Sequence, residues 1–206
     1  MSRKFSVSQI LLYLLLVAGA VFMVLPLFWC VSSSFKVSGE IFDYPPTLFP
    51  KQPTLDNYRE LFSKFPYERW YLNSVLVTAL LTVLSVFFCS LAGFAFAKYR
   101  FALQKPLFAL VLAALIVPFQ VILIPLYVIT IKLGWMNTYY ALIVPFMASP
   151  FGIFLMCQFM VGSVPNEVME SARIDGCSEF KIFSKFALPL SRPALGAFAI
   201  YQFVFS

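Results

Sequence analysis

The spacing of charged residues constrains this chain more than any other feature of its sequence. Four mostly apolar stretches contain no Asp, Glu, Lys or Arg: residues 5–35, 70–97, 106–131 and 133–166. Each is longer than the roughly 20 residues that a helix needs to cross the hydrocarbon core of a bilayer. Because a charge in hydrocarbon is costly, this spacing predicts membrane helices rather than the core of a soluble domain.

Composition excludes the main alternatives to a membrane protein. Only 12% of the 206 residues are charged, against about 25% in an average soluble domain, so a water-soluble monomer is excluded. The 25 Phe and 10 Tyr residues leave too much apolar surface for a disordered chain. The formal net charge of +6 is typical of Lys and Arg residues that flank membrane spans, and no nucleic-acid partner is expected.

The predicted fold class is all-α: a polytopic membrane protein with four complete transmembrane helices and a truncated fifth. The predicted segments are an N-terminal segment 1–8, a first span 9–33, an outer loop 34–70, and a core 71–206 with spans 71–97, 107–130 and 139–161, the inner loop 163–193 and a partial span 194–206. This last stretch would rise only about 20 Å as a helix, which is too short to cross about 30 Å of hydrocarbon. We therefore expect the chain to be incomplete at its C-terminus.

The first span also allows an interpretation as a signal peptide. Arg3 and Lys4 precede an apolar run that contains Ala18-Gly19-Ala20, a pattern typical of cleavage sites. The run continues to Trp29, well beyond the about 7 to 15 residues of a signal core, so an uncleaved span is favoured. With segment 1–8 inside the cell, most Lys and Arg residues lie on the inner side, which favours a cytoplasmic N-terminus.

The outer loop 34–70 is predicted to have two parts. Four prolines between residues 45 and 53 exclude a helix from its first half. Thr54 can then cap a short helix, whose apolar face we expect on the membrane surface or on neighbouring helices. A structural lid is favoured over a binding site for this loop.

The inner loop 163–193 carries the more informative pattern. Ser163 can cap a helix, and Asp175-Gly176 can end it, because Gly tolerates a left-handed backbone. Ser178 can cap a second short helix, which is predicted to stop before Pro189. The loop is therefore predicted to be a helix–turn–helix on the cytoplasmic side, of a shape that suits insertion into a groove on another protein.

Residues 170–176, which read Glu-Ser-Ala-Arg-Ile-Asp-Gly and are followed by Phe180 and Leu188-Pro189, resemble the EAA loop of ABC importer permeases. Further stretches sharpen the resemblance to carbohydrate permeases of the maltose-transporter type: residues 54–58, 71–74, 91–97, 117–120, 124–127 and 134–139. These stretches occur in a consistent order between Pro26 and Ser206. Ser171 and Cys177 stand where the family usually has Ala, and both are small.

The resemblance implies a permease with six spans in a bacterial or archaeal inner membrane. It implies an assembly with a homologous second permease subunit, two ABC ATPase subunits and an extracytoplasmic sugar-binding protein. In such an assembly the inner loop forms the coupling helices that dock on the ATPase. The resemblance assigns this role here to Glu170, Ala172, Asp175 and Gly176.

Our hypothesis for these four residues separates the small ones from the acidic ones. Ala172 and Gly176 would allow close approach to the ATPase, whereas Glu170 and Asp175 would fix the loop through caps and hydrogen bonds to the partner. From composition alone, the two acids would be ordinary solvated residues.

Two polar residues within predicted spans, Asn73 and Gln120, are candidates for lining a translocation pathway. Unpaired polar groups are costly in lipid, so both are expected to face other helices or a polar cavity. Gln120 stands out because Pro118 and Pro125 are expected to bend its helix and free backbone carbonyls, which suit a sugar route. Hydrogen bonding between helices is the simpler alternative.

Missing residue types exclude several chemistries. The chain has no His, the commonest metal ligand and general base, and no Gly-Lys dipeptide for a phosphate-binding loop. We therefore predict no catalytic residue, metal or cofactor, and we assign ATP hydrolysis to a separate subunit. Two alternatives stay open: a permease of another ABC importer class, for amino acids or phosphate esters, and a non-transporting truncated membrane scaffold.

Overall fold

The computed structural model describes residues 7–206, so Arg3 and Lys4 lie outside the described residues. An all-α fold is confirmed for this part of the chain. The helices are α1 (Val7–Ser34), α2 (Asp56–Lys64), α3 (Tyr67–Lys98), α4 (Gln104–Ile116), α5 (Phe119–Lys132), α6 (Tyr139–Ile143), α7 (Pro150–Ser163), α8 (Asn166–Ile174), α9 (Glu179–Ile182), α10 (Leu188–Leu190) and α11 (Arg192–Phe205), with 3-10 turns at Glu40–Phe42 and Val144–Phe146 and a π-helical turn at Phe183–Ala187.

Three helical segments are long and apolar enough to cross a membrane: Val7–Ser34, Tyr67–Lys98 and Tyr139–Ser163. A fourth candidate consists of α4 and α5 together, which meet at a bend of 106°. The described residues thus hold three candidate spans, or up to four when the bent pair is counted as one. A polytopic helical protein is confirmed, and four complete spans with a fifth stays a prediction.

Pro118 accounts for the bend inside the predicted span 107–130. The residue before a proline is pushed towards an extended backbone, and Val117 has φ −72° and ψ 118°. Helix α4 therefore ends at Ile116, and α5 begins at Phe119. Pro125 lies inside α5 without ending it, so of the two prolines expected to bend this span, Pro118 marks the break.

The described residues fall into two compact units, divided between Tyr71 and Leu72. In the first unit, the amide of Asn57 donates hydrogen bonds of 2.9 Å and 2.8 Å to the carbonyl oxygens of Ser34 and Lys36. Helix α2 begins at Asp56, whose N–H donates to the Thr54 hydroxyl at 3.1 Å. The short helix predicted after Thr54 is therefore present, and Asn57 ties it to the end of α1. Its cap position is held by Leu55 and not, as predicted, by Thr54.

Lys36 is the unusual residue of this first unit, because its side chain is fully buried. A buried ammonium group needs partners to replace water. It donates a hydrogen bond to the carbonyl oxygen of Thr47, and it lies 4.4 Å from the centroid of the Trp29 ring, within cation–π range. The proline-containing half of the loop is thus folded around a cation.

The second unit has a core in which α3 and α7 pack with the helices that follow α7. Its buried members are Phe94, Met156, Met160, Val164, Met169, Ala172, Ile182, Phe183, Ala187 and Ala194. Helices α3 and α7 approach each other closely at Gly93, where an added Cβ would stand 2.7 Å from the Met156 Cβ and 2.8 Å from the Cys157 nitrogen. The absence of a side chain at Gly93 therefore permits this close contact between α3 and α7.

Two expectations for the inner loop are wrong in detail. Ser163 does not cap the next helix: it is the last residue of α7, and its hydroxyl has no partner among the described residues. The helical path also continues beyond Pro189, because this residue lies in the first turn of α10. A proline is tolerated there, since the first-turn N–H groups have no partner within the helix.

Candidate functional site

The inner loop forms the expected helix–turn–helix. Helix α8 ends at Ile174, and Gly176 follows with φ +77°, a conformation in which glycine carries no steric penalty. The N–H of Gly176 donates to the carbonyl of Arg173 at 3.0 Å, and that of Cys177 donates to Ala172 at 2.9 Å, which satisfies the end of the helix. The Ser178 hydroxyl accepts from the Lys181 N–H at 3.4 Å and so caps α9, as predicted.

The four predicted coupling residues do not share one surface. Glu170, Asp175 and Gly176 are exposed, whereas Ala172 is only 3% exposed and belongs to the core of the second unit. The small size of Ala172 therefore serves the packing of α8 on the chain's own core. The exposed residues are the ones available to a partner.

Two apolar side chains extend the exposed surface of this loop. Ile174 is 87% exposed and Phe180 is 63% exposed, although each lies beside charged residues in a segment too polar for lipid. Both belong to the stretch that carries the family resemblance, but neither was predicted to contact a partner. We group them with Glu170, Asp175 and Gly176 as the exposed residues of this loop and call the group the coupling surface, after the role predicted for the loop.

A charged cluster joins the end of α3 to the inner loop. The Arg173 guanidinium donates to the two Glu179 carboxylate oxygens at 2.7 Å and 3.2 Å, a bidentate pair. The Tyr99 hydroxyl donates to the same carboxylate, and the Arg173 guanidinium lies 5.8 Å from the Tyr99 ring centroid. We call these three residues the clamp. No motif in the sequence marks it, because Tyr99 and Glu179 are far apart in the chain.

The clamp shifts the acid–base behaviour of its members. The hydrogen bonds from Arg173, and next from Tyr99, hold the pKa of the Glu179 carboxyl below its usual range. Burial, followed by the hydrogen bond to Glu179, raises the pKa of Tyr99 to about 12. At neutral pH the Glu179 carboxylate is therefore charged and the Tyr99 phenol is protonated. These are the states in which Tyr99 can donate a hydrogen bond and Glu179 can accept it.

The two pathway candidates lie in different surroundings. The Tyr139 hydroxyl donates to the Asn73 side-chain oxygen at 3.0 Å, and both residues line a cleft of about 840 Å³. A neighbouring cleft of about 1130 Å³ also includes both residues. Gln120, by contrast, is exposed at the start of α5 and is absent from the lining of these two clefts.

The lining of the smaller cleft contains both polar and aromatic groups. Besides Asn73 and Tyr139, its lining includes Phe146, Tyr201 and Gln202. Amide and hydroxyl groups hydrogen-bond to hydroxyl-rich ligands, and aromatic faces supply apolar contact. Tyr139 and Gln202 were not predicted, because tertiary structure alone brings them to Asn73.

Comparison with known proteins identifies the family. A family described as "Binding-protein-dependent transport system inner membrane component" matches residues 85–206, a range that contains the coupling surface. The chain is 40% identical over 208 residues to the arabinooligosaccharides transport system permease protein AraQ of Halalkalibacterium halodurans, with 98% of this chain and 74% of that protein covered. It is 31% identical over 200 residues to the maltodextrin transport system permease protein MdxG of Bacillus subtilis, with 96% and 70% covered.

A solved structure shares the fold. It is described as the crystal structure of a bacterial ABC transporter involved in the import of the acidic polysaccharide alginate, and it matches with a TM-score of 0.84 and 20% identity, covering 98% of this chain and 73% of that one. The sequence matches are strong enough to show more than fold. The chain therefore belongs to the family of binding-protein-dependent transport system inner membrane components, as a permease of the carbohydrate ABC importer type and not an enzyme.

Proposed function

We propose that this chain is a transmembrane subunit of an ATP-driven sugar importer and that its inner loop couples it to a separate ATPase. The observation that carries the proposal is the two-sided construction of α8. Met169 and Ala172 are buried in the core formed with α3 and α7, whereas the coupling surface is exposed on the same short segment. A partner that moves this surface would move the ends of two membrane helices with it.

The clamp gives this coupling a second connection. Arg173 on α8 and Tyr99 after α3 share one carboxylate of α9, so α8 cannot shift freely against the end of α3. Packing and charge-assisted hydrogen bonds act together here. Closure of the ATPase would then tilt these helices between inward-facing and outward-facing states, the alternating access expected of a transporter.

The relatives support the substrate and partners that we propose. Proteins similar to this chain are named for transport of arabinooligosaccharides and maltodextrin, so we assign a sugar or oligosaccharide as substrate. Asn73 and Tyr139 are the residues that we place on its route, with Gln120 at the adjoining bend. The proposed partners are a second permease subunit, two ATPase subunits and an extracytoplasmic sugar-binding protein, in a cell membrane that the N-terminus enters from the cytoplasm.

Co-purification with the ATPase tests the proposal. In the full-length permease, Ile174→Asp introduces a charge into the coupling surface and is expected to lower ATPase recovery about tenfold or more, and with it sugar-stimulated hydrolysis. Leu55→Asp is the matched control, because Leu55 is also an exposed apolar residue, at 55%, but lies in the outer loop. It should retain the ATPase.

Three results would contradict the proposal. Normal recovery of the ATPase with Ile174→Asp would remove the coupling surface from the interface. Hydrolysis stimulated by amino acids or phosphate esters in place of sugars would identify another importer class. A permease that retains no ATPase even without substitution would point to a scaffold.

A further inference from the structure

Besides the coupling surface, the region around α8 contains a pocket of about 470 Å³. It lies between the end of α3, the loop to α4, and α8. Its lining carries the basic residues Lys98, Arg100 and Arg173 and one carboxylate, that of Glu170. The proposed coupling role assigns no function to this excess of positive charge.

The three cations differ in how far their charge is already neutralised. Arg173 is paired with Glu179 in the clamp. Lys98 donates long hydrogen bonds of 3.4 Å to the Val161 carbonyl and the Asn166 side-chain oxygen, and the Glu167 carboxylate lies close enough to interact with its charge. Arg100 is exposed, and its guanidinium has no ion-pair partner within residues 7–206. The pocket thus offers one free guanidinium and one weakly bound ammonium group.

The N-terminus of α8 adds to this positive region. Its first residue, Asn166, lines the pocket, and Pro165 at the cap position supplies no side-chain hydrogen bond to the helix amides. Uncapped amides and the helix dipole both favour a bound anion, and the Glu167 carboxylate in the first turn of α8 meets part of this preference. Side chains and backbone therefore converge on one ligand chemistry, that of a phosphate group with several acceptor oxygens.

The position of the pocket indicates where such a phosphate comes from. Residues 99–103 connect two apolar helices, α3 and α4, so this short loop lies at the level of the lipid headgroups. In this loop Phe101 is 40% exposed and Leu103 is 69% exposed. Leu103 also has φ +68°, an uncommon conformation for a bulky residue. Apolar side chains next to a basic pocket match an amphiphile that has an anionic head and acyl chains.

We propose that this pocket binds the phosphate of an anionic phospholipid from the leaflet that surrounds this end of α3. Arg100 and Lys98 contact the phosphate oxygens, and the amides at the start of α8 complete the site. Basic pockets between membrane helices are known to bind such headgroups. Because Glu170 lines the same pocket and is exposed to the partner, the bound lipid lies against the proposed coupling helix.

Native mass spectrometry of the full-length permease in its transport complex tests this site. Phosphatidylglycerol and phosphatidylcholine with identical acyl chains are added to the detergent-solubilised protein, and retained lipid is measured. We expect phosphatidylglycerol to be retained preferentially, and Arg100→Gln to lower its retention about fivefold, the factor expected for one cation near an anionic headgroup. Glu170→Gln should raise retention, because it removes the opposing carboxylate.

Lys105→Gln is the matched control. Lys105 lies in the first turn of α4 beside the same loop but is absent from the pocket lining. Its substitution should change retention less than about twofold, since the site is a pocket rather than a diffuse basic surface. An equal loss with both substitutions would overturn the proposal, as would equal retention of the two lipids.

Two further arms separate the possible ligands. Inorganic phosphate at millimolar concentration should not displace phosphatidylglycerol, and complete displacement would show that the site takes the free ion. If Arg100→Gln released the ATPase while lipid retention stayed the same, the pocket would belong to the protein interface. Normal recovery of folded permease with Lys98→Gln and Arg100→Gln serves as the folding control.

Discussion

Gly176 is the residue of the inner loop whose backbone conformation depends most on its identity. Its φ is +77°, and an added Cβ would find no atom within 4 Å, so a substitution acts through the backbone alone. A β-branched residue in this region costs about 1 to 2 kcal/mol. We expect Gly176→Val to distort the turn and to lower sugar uptake per ATP hydrolysed, measured with the full-length transporter in liposomes.

Gly162 offers the control for this prediction. It also has open space around it and an ordinary helical backbone at the end of α7. Gly162→Val should leave the coupling ratio unchanged. The same ratio in Gly176→Val and wild type, with both proteins folded, would show that the turn plays no part in coupling.

Glu179 makes the clamp sensitive to acid. Its pKa is lowered in the folded protein, so its contribution to stability is present above the ordinary glutamate value of 4.5 and is lost as the pH falls through the folded-state pKa. We expect Glu179→Gln to unfold at a lower temperature than wild type at pH 7. The difference should shrink towards zero on acidification, as measured by unfolding temperature in detergent between about pH 7 and pH 3.

A second carboxylate distinguishes the clamp from general acid effects. Glu60 forms an exposed ion pair with Lys64 one helical turn away, a kind of pair that contributes little to stability. The unfolding temperature of Glu60→Gln should equal that of wild type at every pH. If the unfolding temperature of Glu179→Gln were lower than that of wild type by the same amount at every pH, the acid sensitivity would not come from the clamp.

Single residues also mark where sequence reasoning stops. Asp175-Gly176 and Ser178 were predicted because turn and cap chemistry is local in the chain. The burial of Ala172 could not be predicted, since the motif that contains it does not state which face of α8 meets the core. Tyr99 and Glu179 were missed for a related reason: a contact between distant residues leaves no periodic pattern.

At the scale of elements, the bend between α4 and α5 is set by one proline. Pro118→Ala would remove the restriction on Val117 and restore an N–H, so we expect the two helices to approach one continuous helix. Spin labels at Leu110 and Ile129, which are 68% and 51% exposed, would then move apart. Electron spin resonance distance measurement on the full-length protein reports this change.

Pro125→Ala is the comparison for this element. Pro125 lies within α5 and does not interrupt it, so its substitution should leave the label separation unchanged. If neither substitution lengthened the distance, tertiary packing rather than Pro118 would hold the bend. Two prolines in one apolar stretch predict a distortion, but which of them breaks the helix depends on the packing around it.

At the scale of the whole molecule, the charge-free stretches were sufficient to predict a polytopic helical protein. Every backbone polar group in hydrocarbon must be hydrogen-bonded within the protein, and a helix achieves this within one segment. A membrane helix can therefore be recognised from the sequence of that segment alone. The clefts around Asn73 were not predictable in the same way. Tyr139 and Gln202 reach them from separate helices, and only the packed structure brings these side chains together.

The burial of Lys36 turns the loop after α1 into a chemical reporter. A membrane-impermeant amine reagent should modify Lys51 and Lys64, whose side chains are 61% and 64% exposed, and spare Lys36, which is fully buried. Mass spectrometry of tryptic peptides reads the pattern, and unfolding before labelling should expose all three. Equal labelling of Lys36 and Lys51 in the folded protein would contradict this.

The same three lysines report the side of the membrane on which the loop lies. With the N-terminus in the cytoplasm, Lys51 and Lys64 should react in intact cells, whereas the opposite orientation would require inverted vesicles. A single labelling experiment thus records both the folded state of the outer loop and the topology of the permease. Because Lys36 is enclosed beside Trp29, it should stay unmodified in the folded protein and so serves as an internal control in each labelling experiment.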